Sequence, residues 1–395
     1  MIYLDYQATT PLAPEAFDAM LPWLRDQHGN PHSAHRPGRA AKAAVEVARA
    51  EIARLLPAGG RVAFTSGATE ALNWAIKGMA GSVVTLATEH AAVLDTVAAA
   101  GRAGRPVTVL PVGPDGLVDL DRARDAIRPG TGLVAAMLVN NEIGVVQPVA
   151  ALAALAHAVG ARFLCDAVQG YGRVPIPGNV DLIAISAHKI HGPKGIGALW
   201  IRDGVTPEPL LHGGDQEGGR SGTLSPALCA GFGAAARLMR ERADEDAAHV
   251  ARLWGLASEQ LGFLTPLPLA GGARGGRAPA VNATSPPPTP PASGRGEWAV
   301  NGSVPARYHG NLNIRRDGLD VARLMSDCRD LAFSAGSACA SGSGRPSHVL
   351  RALGLSDAQA RSSLRLGFGR YTSEAEVAAA LDRITAAADA QRLAA

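Results

Sequence analysis

The stretch Asp181-Leu-Ile-Ala-Ile-Ser-Ala-His-Lys-Ile-His-Gly-Pro-Lys194 decides the fold. Its apolar run, closed by Ser186, has the length and character of a strand buried on both faces, and such strands belong to sheets covered by helices. Lys189 then emerges past the carboxyl end of that strand beside His188, where open α/β sheets hold their ligands. Lysine occurs only at positions 42, 77, 189 and 194, so two in one short segment call for an explanation. A partly desolvated lysine at a strand end can act as an amine nucleophile and form an imine with a carbonyl cofactor; a surface lysine after a strand is the plain alternative.

Working outward, apolar runs at 61–65, 83–87, 107–110, 133–139, 162–165, 181–186 and 196–201 alternate with Ala-rich stretches of helical spacing. Seven such strands predict an α/β chain with a large doubly wound sheet, covered by helices that include 37–56, 149–159 and 225–244. From about residue 251 the pattern changes to helix with mixed strands. The expected organisation is a large domain over 16–250 and a smaller α+β domain built from 1–15 and 251–395. Within the latter, 271–305 is rich in Gly, Pro and Ser and contains Pro286-Pro-Pro-Thr-Pro-Pro291. That composition reads as a flexible surface insertion, with a proline-recognition ligand as the alternative.

Composition narrows the function. The 395 residues are 47% hydrophobic and 18% charged with a formal charge of +3, so neither nucleic acid nor a membrane surface is expected as a direct partner. The basic residues are scattered. The start, Met1-Ile-Tyr-Leu-Asp-Tyr6, has no basic leader, and no later run approaches a membrane span, which predicts a cytoplasmic protein. Cys165, Cys229, Cys328 and Cys339 have no metal-ligand spacing, so no resident metal is expected.

Four further strand ends fit an imine at Lys189. Asp166 follows the run Arg162-Phe-Leu-Cys165, with Gln169 three residues on; a buried anion there suits a protonated ring nitrogen, and a helix cap is the alternative reading. Ala63-Phe-Thr-Ser-Gly-Ala-Thr-Glu70 is a strand, a glycine turn and a helix start, where free N–H groups and Thr69 make a phosphate cup or simply an ordinary cap. Leu138-Val-Asn-Asn-Glu142 and Thr88-Glu-His90 add amides and an imidazole. Together they surround a phosphorylated aromatic aldehyde.

Taken in order, Tyr3-Leu-Asp-Tyr-Gln-Ala-Thr-Thr-Pro11, Gly29-Asn-Pro-His-Ser33, Thr65-Ser-Gly-Ala-Thr-Glu70, Thr88-Glu-His90, Asn140-Asn-Glu-Ile-Gly144, the Lys189 segment, Arg220-Ser-Gly-Thr223 and Arg365 make the chain resemble the class V aminotransferase superfamily of fold-type I pyridoxal-phosphate enzymes. Within it, Ser334-Ala-Gly-Ser-Ala-Cys339-Ala-Ser-Gly-Ser-Gly-Arg-Pro346 resembles the long catalytic loop of the cysteine desulfurases of iron–sulfur cluster assembly and nitrogen fixation. A thiol on a Gly/Ser-rich loop suits a group that reaches into a pocket and then carries sulfur out.

The resemblance implies that Lys189 holds pyridoxal 5'-phosphate as an imine, Asp166 pairs with the ring nitrogen, Gln169 bonds the ring hydroxyl and His90 stacks on the ring. Ala68, Thr69, Ser186 and His188 would hold the phosphate, with Thr223 supplied by the other subunit of a homodimer. Asn141 and Arg365 would bind the substrate carboxylate, the guanidinium fork matching it in two bonds. Lys189 would move the Cα proton, and Cys339 as thiolate would take sulfur from L-cysteine, leaving L-alanine and a persulfide. An unperturbed thiol near pKa 8.5 needs a proton acceptor, and either His90 or the substrate can serve. The sulfur would pass to an iron–sulfur scaffold or another acceptor protein, with Cys339 in contact with a nascent cluster. The alternatives are a selenocysteine lyase or another class V lyase or aminotransferase, and a non-catalytic scaffold. His191, the pair Arg315-Arg316 and the proline-rich insertion depart from the resemblance and bear on partner choice.

Overall fold

In the computed structural model, which describes residues 1–263, 298–336 and 346–393, the chain opens with a short strand β1 (Ile2–Tyr3) and then builds a seven-stranded sheet. Its strands are β2 (Gly60–Thr65), β3 (Ser82–Leu86), β4 (Val107–Leu110), β5 (Thr131–Met137), β6 (Arg162–Asp166), β7 (Leu182–Ser186) and β8 (Gly197–Arg202). They lie in the order β2-β8-β7-β6-β5-β3-β4, and β8 is the one strand antiparallel to its neighbours. The carboxyl ends of the other six therefore meet along one edge. The expected α/β fold with a seven-stranded, mostly parallel sheet is what the chain forms.

Side-chain alternation along the strands feeds two apolar layers. Val134 and Ala136 of β5 point into one, Leu133 and Ala135 into the other. Helices α1 (Pro14–Arg25) and α2 (Arg36–Ala53) lie on the first face, and α3 (Ala68–Gly78) and α4 (Ala91–Arg102) on the second. The chain returns to the first face with α5 (Leu120–Ala126), α6 (Val149–Ala158) and α7 (Pro226–Glu241). Small residues let α2 and α7 approach closely: a Cβ at Gly233 would lie 2.6 Å from Ala48 Cα. The helix expected over 225–244 ends at Glu241. Arg242 caps it, and a separate helix α8 (Ala243–Gln260) begins with Asp244, Glu245 and Asp246 in its first turn, where acids suit a helix N-terminus.

A second core joins Leu4, Leu253 and Trp254 to Leu312, Ile314, Leu364, Leu366 and Ile384. Its strands are β9 (Ala299–Val300), β10 (Asn311–Arg315), β11 (Leu331–Ala332), β12 (Ser334–Ala335) and β13 (Ser363–Gly367). Four form an antiparallel sheet in the order β12-β13-β10-β9, while β1 runs parallel to β11. The far end of the stretch expected as an insertion over 271–305 belongs to the smaller sheet. Residues 299–300 pair with β10, and Asn301 and Ser303 are buried. The apolar Trp298-Ala-Val300 breaks the Gly/Pro composition there, and Trp298 lies under the Arg316 guanidinium at 5.6 Å. The rest of that stretch up to residue 297, including the proline run, lies outside the described residues.

Candidate active site

β7 is buried along its whole length, and Ala187 and Ile190, both in the core, anchor the single tight turn that follows it. Between those anchors His188 and Lys189 line a cavity of about 560 Å³ at the carboxyl edge of the sheet. Lys189 Nζ donates to the carbonyl oxygens of Gln7 and Ala8, the latter at 2.7 Å. The N-terminal segment that supplies them is tied down beside the turn: Thr10 Oγ1 donates to His188 O at 2.9 Å and accepts from His191 N at 2.7 Å. His188 Nδ1 sits 3.1 Å from Thr9 Oγ1. Burial, with Lys189 and Lys194 nearby, pulls the His188 pKa down to about 4, so its ring is neutral at physiological pH.

At the end of β6, Asp166 lines the same cavity with its side chain almost fully buried, and Oδ1 accepts from Val168 N at 3.0 Å. Burial raises its pKa despite the pull of that N–H and of His90 and Lys189, so the anion lacks enough positive charge around it. A protonated heterocyclic nitrogen would supply that charge. Gln169 Nε2 donates to Gln7 O at 3.0 Å, while its buried Oε1 has no partner among the described residues and can accept from a hydroxyl. Both features fit a pyridoxal ring.

Opposite them, Ser66 and Gly67 lead into α3, whose first turn carries Ala68 and Thr69 and has no side-chain cap. The opening N–H groups of a helix have no intrahelical acceptor, and its dipole favours an anion there. Space in front of the turn is open, since a Cβ on Gly67 would meet nothing within 4 Å. Ser186, His188 and Lys194 face this turn across the cavity lining, which makes a cradle of phosphate chemistry.

The remaining wall comes from β3, β5 and the smaller sheet. His90 caps α4 by accepting from Ala92 N at 3.0 Å through Nδ1. Asn140 has a local structural role: its Nδ2 donates to Thr88 O at 2.8 Å and its Oδ1 accepts from Glu142 N and Ile143 N. That turn leaves the next residue, Asn141, on the cavity, with its carbonyl accepting from Arg365 Nη1 at 3.1 Å. Arg365 on β13 also lines the cavity and pairs with Asp5 at 2.7 Å.

Ala68, Thr69, His90, Asn141, Asp166, Gln169, Ser186, His188, Lys189 and Arg365 therefore line one space, although they come from segments scattered along the chain. Thr223 is not in that lining. Cys339 lies outside the described residues. Cys165, Cys229 and Cys328 are buried and unpaired, and burial raises all three thiols, Cys229 to about 12, which suits inert core residues. Gln7, Ala8 and Thr9 also line the cavity, and the Tyr3–Pro11 motif is their one signal in the sequence, because an irregular segment has no periodicity to read.

The family model described as aminotransferase class-V matches residues 2–280. The probable mitochondrial cysteine desulfurase of Schizosaccharomyces pombe is 43% identical, over 97% of this chain and 74% of that protein. Cysteine desulfurase IscS of Rickettsia bellii is 42% identical, over 95% of this chain and 88% of that protein. The solved structure of SspA in complex with cysteine is 31% identical and superposes with a TM-score of 0.73, covering 94% of this chain and 100% of that one.

Proposed function

Because the chain belongs to the class V aminotransferase family, among its pyridoxal-phosphate-dependent cysteine desulfurases, we propose that the cavity at the carboxyl edge of the sheet is where L-cysteine is split into L-alanine and a persulfide on Cys339. One observation carries this reading: an amine, a buried carboxyl, an open helix start and a buried guanidinium line a single cavity of about 560 Å³.

When bound, pyridoxal phosphate supplies a reactive carbonyl and an electron-accepting ring. In the proposed arrangement Lys189 would anchor it and move the substrate's Cα proton, Asp166 would hold the ring nitrogen, Gln169 the ring hydroxyl, and His90 would pack against the ring. Ala68, Thr69, Ser186 and His188 would hold the phosphate. His188 would do so as a hydrogen-bond donor from the turn that carries Lys189. Asn141 and Arg365 orient the substrate carboxylate, and the Cys339 thiolate attacks the substrate sulfur.

The two apolar cores support a division into a large domain and a smaller one that includes the N-terminal residues. A homodimer, with Thr223 of each subunit completing the phosphate cup of the other, accounts for a threonine of the family motif that lies outside its own cavity lining. No helix among the described residues is long and apolar enough to cross a membrane. Three unpaired buried thiols suit a reducing compartment, the cytoplasm in this reading, where acceptor proteins for iron–sulfur clusters or thiolated products would take the sulfur.

Mass spectrometry after incubation with L-cysteine, with alanine measured in the same sample, tests this. One added sulfur on Cys339 with matching alanine supports it, and Cys339→Ser should keep the cofactor absorbance while losing sulfide release. Alanine or pyruvate without the persulfide, or full sulfide release by Cys339→Ser, would assign another class V lyase activity.

A further inference from the structure

We propose that Asp5 is the positioning residue for Arg365, turning its guanidinium so that uncommitted N–H groups meet the substrate carboxylate; this rests on the reading of the cavity given above. Arg365 is 1% exposed, and a buried cation is costly unless paired and hydrogen-bonded. Asp5 supplies both. Arg365 Nη2 donates to Asp5 Oδ1 at 2.7 Å and to Ser334 Oγ at 3.2 Å, and Ser334 Oγ in turn donates to Asp5 Oδ1 at 2.8 Å. On the other branch Nη1 donates to Asn141 O.

The carboxylate is itself held in place by the backbone around it. Asp5 bridges to Gly367, Gly367 N donates to Leu4 O at 2.7 Å, and Tyr3 Oη donates to Asp5 O at 3.3 Å. Arg365 stands two residues before Gly367 on β13, so the same strand fixes donor and acceptor. A guanidinium has five N–H donors. The protein's acceptors engage Nη2 twice and Nη1 once, while Nε has no partner among the described residues. The grip sets the plane of the fork and leaves donors uncommitted.

Orientation and charge then act in opposite directions. The acceptor oxygen of Asp5 holds the fork, whereas its negative charge repels an incoming carboxylate. Two variants separate these effects. Asp5→Ala removes both and should raise KM for L-cysteine about tenfold with kcat within about threefold, the cost of a lost hydrogen bond to a charged group. Asp5→Asn keeps an acceptor oxygen without the charge and should show a KM at or below the native value. A merely structural role would lower the melting temperature and kcat in both variants without this split in KM. If Asp5→Ala does not fold, Ser334→Ala, which removes the hydroxyl joining the pair but leaves the direct contact, carries a smaller expected rise of about threefold. An unchanged KM in the tested alanine variant, with the native protein active, overturns the proposal. A native protein that makes no alanine from L-cysteine fails the underlying reading instead.

Discussion

Glu217 and Arg49 form a two-pronged ion pair across 168 residues of sequence, with Nη1 2.7 Å from Oε2 and Nη2 2.8 Å from Oε1. The same Oε2 accepts from Phe64 N at 2.6 Å, and Arg61 Nη1 donates to the Glu217 carbonyl at 2.7 Å. One buried carboxylate therefore fastens the segment carrying Arg220 and Thr223 onto α2 and β2. Removing it leaves a guanidinium and a backbone N–H short of partners. Glu217→Ala should cost about 3 kcal/mol in urea unfolding, the scale of a broken buried pair. A loss below about 1 kcal/mol would mean that the pair is solvated and the segment held otherwise.

Gly367 meets the N-terminal segment so closely that a side chain has no room. A Cβ there would fall 1.7 Å from Gln7 Oε1 and 2.9 Å from Tyr6 N. Gln7 also donates to Gly310 O at 2.7 Å and accepts from Lys189 through its carbonyl. Gly367→Ala should therefore lower stability by about 2 kcal/mol and displace the carbonyls around Lys189. Calorimetry and the cofactor absorbance should change together; a variant with native melting and native absorbance would show that the segment yields without cost.

Glu142 gives the protein a pH dependence of defined sign. Its buried carboxyl accepts from Ser347 Oγ, and burial raises its pKa to about 7 from 4.5 although Ser347, Arg365 and His90 oppose the shift. Between those pH values the folded chain keeps a proton that the unfolded chain has released. Stability from this group is thus full below about 4.5 and declines until about 7. Glu142→Gln should match the native protein near pH 4.5 and exceed its stability at pH 8 by up to about 3 kcal/mol. Urea midpoints at the two pH values read this out, and an equal gap at both would refute it.

Lys189→Ala should lose covalent attachment of the cofactor and slow alanine formation by about a thousandfold, within the range for removal of a positioned proton-transfer group. Borohydride treatment followed by peptide mass mapping checks the attachment. Attachment at Lys194, which lines the same cavity, would move the role there.

Much of the cavity could be read from short segments alone. Strand ends, the Gly67 turn and the open start of α3 are local consequences of apolar runs closed by small or polar residues. The break at Arg242 and the strand at 299–300 were not legible. The first is a change of direction inside a continuous helical pattern, and the second is a two-residue strand whose partner lies elsewhere in the chain.

The sequence by itself determined the doubly wound sheet, the strand that delivers Lys189 and the family motifs, because periodicity and strand-end residues act over a few positions. Tertiary structure decided which groups surround them. Lys189 reaches the Gln7 carbonyl across 182 residues, and Arg365 reaches Asp5 across 360. Both contacts depend on irregular backbone brought alongside a strand by packing of the smaller core, and no local period encodes where a carbonyl or a carboxylate points once two distant segments meet.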